Sequence, residues 1–269
     1  MALMKQSLFF AVKQCLDECD PGRKVECAHH LYQAWQAGEL TLDNDNTVEP
    51  IGEPGRPVRP LLVKPRDLPQ RKPTTLEGRA ILFHALSHIE FNAINLALDA
   101  VYRFRDLPRD YYSDWLQVAD EEASHFVLLH DHLRALGHDY GDFPAHNGLW
   151  EMAQKTAHDG MVRMALVPRC LEARGLDVNP GIKARLLENG DAAGGALLDI
   201  ILRDEIGHVA IGNRWFHYYC QQRGLDPEST YQQLIDQYLQ MRLRPPFHLE
   251  ARRVAGFTEA ELAYLEGVG

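Results

Sequence analysis

The sequence predicts an all-α protein, and three observations support this prediction. Apolar residues recur every three or four positions along several long stretches, capping signals and glycine or proline stops bound those stretches, and no alternating apolar–polar pattern of useful length occurs. The chain has 269 residues, 45% of them hydrophobic and 25% charged, and can therefore bury a large core. We expect one main helical domain with extensions at both ends.

Four long helices, named A to D, are expected in the middle of the chain. Helix A follows a Thr-x-x-Glu capping box, helix B ends before a glycine, and helix D begins after a capping aspartate. The predicted bounds are 74–105 for helix A, 110–136 for B, 159–175 for C and 191–223 for D. Helix C starts late because the coil 137–147 is too short to connect parallel helices B and C by itself, so 148–158 belongs to the crossover. Pro168 should bend helix C because it removes a backbone hydrogen bond.

The flanking segments are predicted to be extensions of this bundle. Short helices are expected at about 3–18 and 24–38, a fifth long helix from Asp226-Pro227 to Leu243, and a last one that begins at the capping box Thr258 to Glu261. The domain division predicted from these elements is 1–73, 74–223 and 224–269.

Residues 54–73 form a proline-rich basic strap between the N-terminal helices and helix A. It carries Arg56, Arg59, Lys64, Arg66, Arg71 and Lys72 against Asp67 alone. Proline-rich segments adopt extended conformations, so we expect the strap to wrap over the acidic helical body. The alternative is a binding arm for an anionic partner.

Charge and cysteine content narrow the class of protein. A net charge of −10 argues against a general nucleic-acid binder. The segment between Lys5 and Lys13 is too short for a signal peptide and no long apolar run follows, which predicts a cytoplasmic protein without a membrane span. Five scattered cysteines are expected to be reduced. Cys15, Cys19 and Cys27 lie close together, but their spacing fits no zinc-site pattern.

Helices B and D each carry a Glu-x-x-His pair in the middle of an apolar face. Glu122 and His125 share a face with Trp115 and Leu129, and Glu205 and His208 occupy the same position on helix D. One turn of helix separates the carboxylate from the imidazole, so both can reach one ion. Chance supplies about one such pair in a chain of this composition, so the motif alone is weak.

Spacing separates these pairs from a third one, Glu26 and His29, which lies in the N-terminal extension without a companion helix. Helix A places Glu90 on its apolar face, 32 residues before Glu122. Helix C places Glu172 33 residues before Glu205, and each second glutamate is followed by histidine at the third position. The predicted site is therefore an internal repeat.

One Glu from each of two helices and Glu-x-x-His from each of two others is the ligand set of ferritin-like di-metal carboxylate proteins. Residues 75–223 resemble that superfamily, and the segments EEASHF, LEARGLDVNPG, RDEIGHVAIGN and PPFHLEAR are similar to an uncharacterised bacterial branch of it. The resemblance implies a four-helix bundle with one long crossover between helices B and C. It also implies two metal ions bound by Glu90, Glu122, His125, Glu172, Glu205 and His208.

Charge supports a metal site independently, because four buried carboxylates cost several kcal/mol each unless they are compensated. Two divalent cations would neutralise them, and mixed carboxylate and imidazole ligation suits iron, with manganese as the alternative. Without metal, the same side chains would satisfy one another, bind water or pair with arginines at the rim.

Glu121 and Asp204 precede ligand glutamates and are candidates to accept the free N–H of a ligand histidine; the alternative is solvated surface charge. His84, His88, His130 and His132 lie off these faces and are expected to be structural.

The function that the resemblance implies is oxygen activation by a di-iron oxidase or hydroxylase, which needs dioxygen and an electron donor. A relative of the tRNA-hydroxylating branch would suit the basic strap, but the acidic total disfavours tRNA as a partner. The alternative class is metal handling: a ferroxidase, a storage protein or a peroxide-detoxifying protein without an organic substrate. We expect a monomer or small homo-oligomer, whereas storage requires a closed shell of many copies. A bundle with a vestigial site is the third hypothesis.

Overall fold

The structure is a computed structural model that describes residues 6–42, 48–70, 72–239 and 243–267. Helices make up most of it, which confirms the all-α class. The strands in the described ranges are two residues long, β1 (Gln6–Ser7) and β2 (Leu40–Thr41), and they pair in parallel. The chain folds as two compact units, residues 1–151 and 152–269, and each is described by itself. The predicted three-part division stays a prediction.

Most of the helices lie close to their predicted bounds. Those of the first unit are α1 (Leu8–Asp17), α2 (Pro21–Gln36), α3 (Leu76–Arg103) and α4 (Arg109–Ala135), so α3 and α4 are the predicted helices A and B. Helix α5 (Gly148–Lys155) follows in the chain. The second unit contains α6 (Gly160–Leu166), a π-helix (Val167–Glu172), α7 (Ala173–Glu188), α8 (Ala192–Arg223), α9 (Pro227–Leu239), α10 (Leu249–Val254) and α11 (Glu259–Glu266).

An antiparallel pair, α3 and α4, forms the centre of the first unit. The rings of Phe91 and Phe126 lie 5.6 Å apart, and further along the pair the Tyr111 hydroxyl donates to the carbonyl of Ala100 at 3.2 Å. Residue numbers thus rise on α3 as they fall on α4, which defines the antiparallel direction. Most of α3 is buried, as expected for a helix at the centre of a core.

Helix α3 also has the length and composition of a membrane-spanning segment, the one such case among the described residues. Its most apolar window has a mean hydropathy of 1.2, and 78% of that window is buried inside the structure. This degree of burial is typical of the core helix of a soluble protein.

Lys24 connects the N-terminal helices and the basic strap to α3 through hydrogen bonds. Its side chain is fully buried, and its Nζ donates to the carbonyls of Leu16 at 3.1 Å and Gly55 at 2.7 Å and to Oδ1 of Asn95. Farther along the strap, Val63 N–H donates to the carbonyl of Ala145 at 2.8 Å. The strap therefore lies against the body of the first unit, in agreement with its predicted role. Arg71, one of its basic residues, lies outside the described residues.

The second unit is built on another antiparallel arrangement, in which α6, the π-helix and α7 run against α8. Asn179 Nδ2 donates to the carbonyl of Leu198 at 2.9 Å. Toward the other end of α8, a Cβ on Gly160 would lie 2.2 Å from the Tyr219 hydroxyl, so the backbone there comes close to the tyrosine. Each of the two units is therefore built on long helices that pack in antiparallel directions.

The region predicted as helix C differs from the expectation in two respects. Its start at Gly160 is confirmed, with the Asp159 side chain accepting from the N–H of Met161 at 2.8 Å. At Pro168, where a bend was predicted, the structure has a π-helix, since proline cannot donate a hydrogen bond within the helix. The predicted end near residue 175 was wrong, since α7 continues to residue 188 with Pro180 inside it.

The capping predictions are largely confirmed. The Asp191 side chain caps α8, Gly224 after α8 is left-handed with φ of 63°, and Thr258 and Glu261 form the predicted capping box. Helix α3 is capped by Thr75, one residue later than predicted. The end of the fifth long helix cannot be compared, because residues 240–242 lie outside the described ranges.

Candidate metal centre

Three of the predicted ligands come together in the first unit. Glu90 on α3 and Glu122 and His125 on α4 each bring one potential ligand atom to within 4.8 Å of the others. All three side chains are buried, with exposed fractions of 4%, 0% and 1%. The antiparallel packing of α3 on α4 produces this meeting, because it places the middle of one helix opposite the middle of the other.

Within this group, His125 Nδ1 lies 3.4 Å from Glu122 Oε2. The Glu-x-x-His spacing therefore places the two side chains side by side, as the sequence predicted. Glu90 Oε2 and Glu122 Oε1 are buried oxygen atoms, and both residues also interact with neighbouring groups. Buried carboxylate oxygens of this kind are suited to a cation.

The second unit repeats the Glu-x-x-His pair on α8. Glu205 and His208 are buried, with exposed fractions of 9% and 0%, and His208 Nδ1 lies 3.8 Å from Glu205 Oε1. Glu172 is the last residue of the π-helix and is half-buried. The register of the helix pair places Glu172 opposite His208, since Pro168, four residues earlier, contacts Gly212, four residues later.

The described residues of the second unit do not, by themselves, bring three potential ligand atoms as close together as the first unit does. Glu172, Glu205 and His208 therefore do not form a group as close as that of Glu90, Glu122 and His125. Glu172 ends the π-helix, which has a wider turn than a regular α-helix. The sequence predicted a bend at Pro168 but not a π-helix. The proline itself was the feature of the sequence that pointed to an irregular helix here.

The two residues proposed to orient ligand histidines have other neighbours. Glu121 Oε1 accepts from Gln117 Nε2 at 2.9 Å, and the Asp204 carboxylate accepts two hydrogen bonds from Arg203 at 2.8 and 3.0 Å. Both acidic residues also make further interactions. Their role toward the histidines stays a prediction.

The histidines expected to be structural hold the loop after α4 onto α3. His88 Nδ1 contacts the Tyr140 hydroxyl at 2.8 Å, and His84 Nε2 accepts from the N–H of Gly141 at 3.0 Å. Burial lowers the pKa of His88 to about 4, so its ring is neutral at pH 7. His130 pairs with Asp139, and the His132 ring lies 4.2 Å from that of Phe83.

The third Glu-x-x-His pair is not part of the group. Glu26 is exposed, while His29 Nδ1 lies 2.6 Å from Asp120 Oδ1 and thereby joins α2 to α4. His29 therefore contacts an acidic residue of α4, and within the described residues no group of three or more potential metal ligands includes it.

The N-terminal cysteines show no zinc site within the described ranges. All five cysteines are free, and no group of three or more potential ligands there includes one. Cys15 and Cys27 instead form a hydrogen-bonded pair, in which the hydrogen bond raises the pKa of Cys15 and lowers that of Cys27.

The residues of the first unit fit a divalent metal ion. Two carboxylates and one imidazole provide the oxygen and nitrogen donors that iron and manganese accept, and all three side chains are withdrawn from solvent. A buried group of Glu and His side chains that could bind a metal ion is therefore present. The same set of two glutamates and one histidine recurs on the second unit's helix pair.

A model of a family described as "Protein of unknown function (DUF455)" matches residues 17–263. A protein of Haemophilus influenzae (strain ATCC 51907 / DSM 11121 / KW20 / Rd), described as an uncharacterized protein, is 50% identical over 264 residues, which cover 94% of this chain and 92% of the relative. No solved structure matches the chain. These comparisons cover nearly the whole sequence, including both half-sites.

Proposed function

We propose that this chain, which belongs to the DUF455 family, is a ferritin-like di-metal protein that activates dioxygen as an oxidase or hydroxylase. The observation that carries the proposal is the buried group of Glu90, Glu122 and His125, whose ligand atoms lie within 4.8 Å of one another. These are the ligand types that a redox metal requires, and they are brought together from two helices.

The second half of the proposed site consists of Glu172, Glu205 and His208. Three facts support it: the same residue types, the repeated sequence spacing of 32 and 33 residues, and the placement of each set on an antiparallel helix pair. Two ions of charge +2 would balance the four carboxylates. We infer that the two half-sites together bind two metal ions, as in a ferritin-like bundle.

Iron is the metal that we propose, with manganese as the alternative. When bound, two redox-active metal ions would supply the chemistry that reduces dioxygen. The chain's own contribution is to hold carboxylates and imidazoles in fixed positions and to withdraw them from bulk water, and Glu122 and His125, both buried, do so most completely. An electron donor is required for turnover.

The test is anaerobic titration with ferrous iron, followed by absorbance and oxygen consumption after air is admitted. We expect about two iron ions per chain and a rapid absorbance change, by analogy with di-iron sites. Glu122→Ala and Glu205→Ala should each abolish the oxygen response. Glu26→Ala is the matched control, because it removes the glutamate of the third Glu-x-x-His pair, and it should bind and react as the wild type does.

Several outcomes would contradict the proposal. Fewer than about two ions per chain would exclude the di-metal site, and iron binding without an oxygen response would exclude oxygen activation. Loss of activity in Glu26→Ala would show that the assay does not report on the proposed ligands. Oxygen-dependent iron oxidation by a large closed assembly would favour the metal-handling alternative, which size measurement on the same sample detects.

A further inference from the structure

A cavity of about 330 Å³ lies in the second unit, apart from the proposed ligand atoms. Its described lining comes from the π-helix, the start of α7, the end of α9, the segment that leads into α10, and α10 itself. This volume falls in the range of small-molecule sites, roughly 300–1,000 Å³. None of the six proposed metal ligands lines it.

The charged part of the lining is strongly positive for a chain of net charge −10. Arg174, Arg244 and Arg252 face one acidic lining residue among those described, Asp177. That carboxylate is already engaged. It accepts from Arg252 Nε at 2.9 Å and Nη2 at 2.8 Å, and from the backbone N–H of His248 at 2.9 Å.

Arginine donors remain after these bonds are formed. Arg252 is 1% exposed, and its Nη1 is a buried donor without a hydrogen-bond partner in the described part of the chain. Arg174 Nη1 is fixed by the carbonyls of Arg244 at 2.9 Å and Pro246 at 2.8 Å, which orients its guanidinium. Arg244 is exposed at the rim. A buried, unsatisfied arginine donor is costly, so its presence beside a cavity points to an anionic ligand.

The remaining wall is apolar. Leu239, Leu243 and Phe247 line it, together with the buried Cys170. An apolar wall beside fixed arginines suits a ligand with a hydrocarbon body and an anionic head. A small hydrophilic anion would leave that wall in contact with water.

We propose that this cavity binds an organic anion with an apolar body and a carboxylate or phosphate head, which the arginines recognise. Guanidinium groups bind both heads through paired N–H donors. The proposal does not depend on the metal centre. If the anion-binding experiment fails, the metal-site proposal is unaffected, and the reverse also holds.

The experiment is calorimetric titration of the full-length protein with decanoate, decyl phosphate and decanol. We expect saturable binding of one anionic ligand per chain and binding of decanol at least about tenfold weaker, because decanol lacks the charge. The anion that binds more tightly identifies the head group. Absence of saturable binding, or equal affinity for decanol and both anions, would overturn the proposal.

Two charge reversals make the test specific. Arg244→Glu changes an exposed rim residue and should weaken anion binding by about tenfold or more without unfolding the protein. Arg185→Glu is the matched control, since Arg185 is an exposed residue of α7 that does not line the cavity, and its affinity should stay within about twofold. Equal losses in both variants would indicate general electrostatic attraction, and no loss in Arg244→Glu would also contradict the site.

Discussion

Pro168 packs directly against Gly212 in the second unit. A Cβ placed on Gly212 would lie 2.4 Å from Cβ of Pro168, closer than real Cβ contacts occur. Gly212 follows His208 by one helical turn, and Pro168 precedes Glu172 by about one turn. The contact therefore sets the approach of the two segments that carry the second half-site.

Gly212→Ala should destabilise the protein by about 1–3 kcal/mol, because the added methyl group must displace the rigid proline ring. We also expect weaker metal binding, since Glu172 and His208 would be moved apart. Urea unfolding measures the first effect and metal titration the second.

The matched control is Gly207→Ala on the same helix, where an added Cβ would meet nothing within 4 Å. Alanine has the higher helix propensity, so this variant should be as stable as the wild type or more stable, by up to about 1 kcal/mol. A Gly212→Ala protein as stable as this control would show that the contact with Pro168 is not restrictive.

The helices and the Glu122–His125 pair could be predicted because both depend on local periodicity. Glu122 and His125 lie one turn apart on an apolar face, so their meeting follows from helix geometry once α4 is assigned. The π-helix around Pro168 could not be predicted, because proline's missing N–H is compatible with either a kink or a π-helix and the segment also packs against Gly212, 44 residues away. The extension of α7 was missed for a similar reason, since Asn179, which precedes Pro180, is fixed by a hydrogen bond to Leu198.

Asp177→Asn should be strongly destabilising. Asp177 and Arg252 form a buried ion pair with two short contacts, and both side chains are withdrawn from solvent. Loss of the negative charge leaves a buried guanidinium without its counter-ion, which costs about 3–5 kcal/mol. Urea unfolding of the purified variant measures the loss.

Asp199→Asn provides the comparison for this pair. Asp199 contacts Lys183 at 2.6 Å, but its side chain is 55% exposed. Exposed pairs contribute about 0–1 kcal/mol, so this variant should unfold almost as the wild type does. Similar losses in the two variants would contradict the importance that we assign to burial.

The ionisation of Lys24 should make stability depend on pH in the alkaline range. Burial lowers the pKa of Lys24 from 10.5 to about 8 in the folded protein. Between these two values the unfolded chain binds more protons than the folded one, so the free energy of unfolding rises with pH. The penalty for burying the charge is complete below about pH 8 and is relieved as the pH rises toward 10.5, by up to about 3 kcal/mol.

Lys24→Met isolates this effect from other groups that titrate in the same range. The variant should be less stable at every pH, since the carbonyls of Leu16 and Gly55 lose their donor. The difference in free energy of unfolding between wild type and variant should grow as the pH rises from about 8 to about 10.5. Parallel stability curves over this range would show that Lys24 keeps its proton in the folded protein.

Glu122→Gln should separate the stability of the metal-free protein from its ability to bind metal. Glu122 is fully buried beside Glu90 and His125, so its negative charge is costly when no cation is present. In the presence of a chelator, the neutral amide should raise the free energy of unfolding by about 1–3 kcal/mol. Addition of manganese should make the wild type more stable than the variant, because a metal at one hundred times its dissociation constant stabilises the wild type by about 2.7 kcal/mol.

Glu26→Gln, at an exposed position, is the control and should be as stable as the wild type in both conditions. A metal-free Glu122→Gln protein that is less stable than the wild type would show that the protein itself compensates this carboxylate, and would contradict a cation site at Glu122.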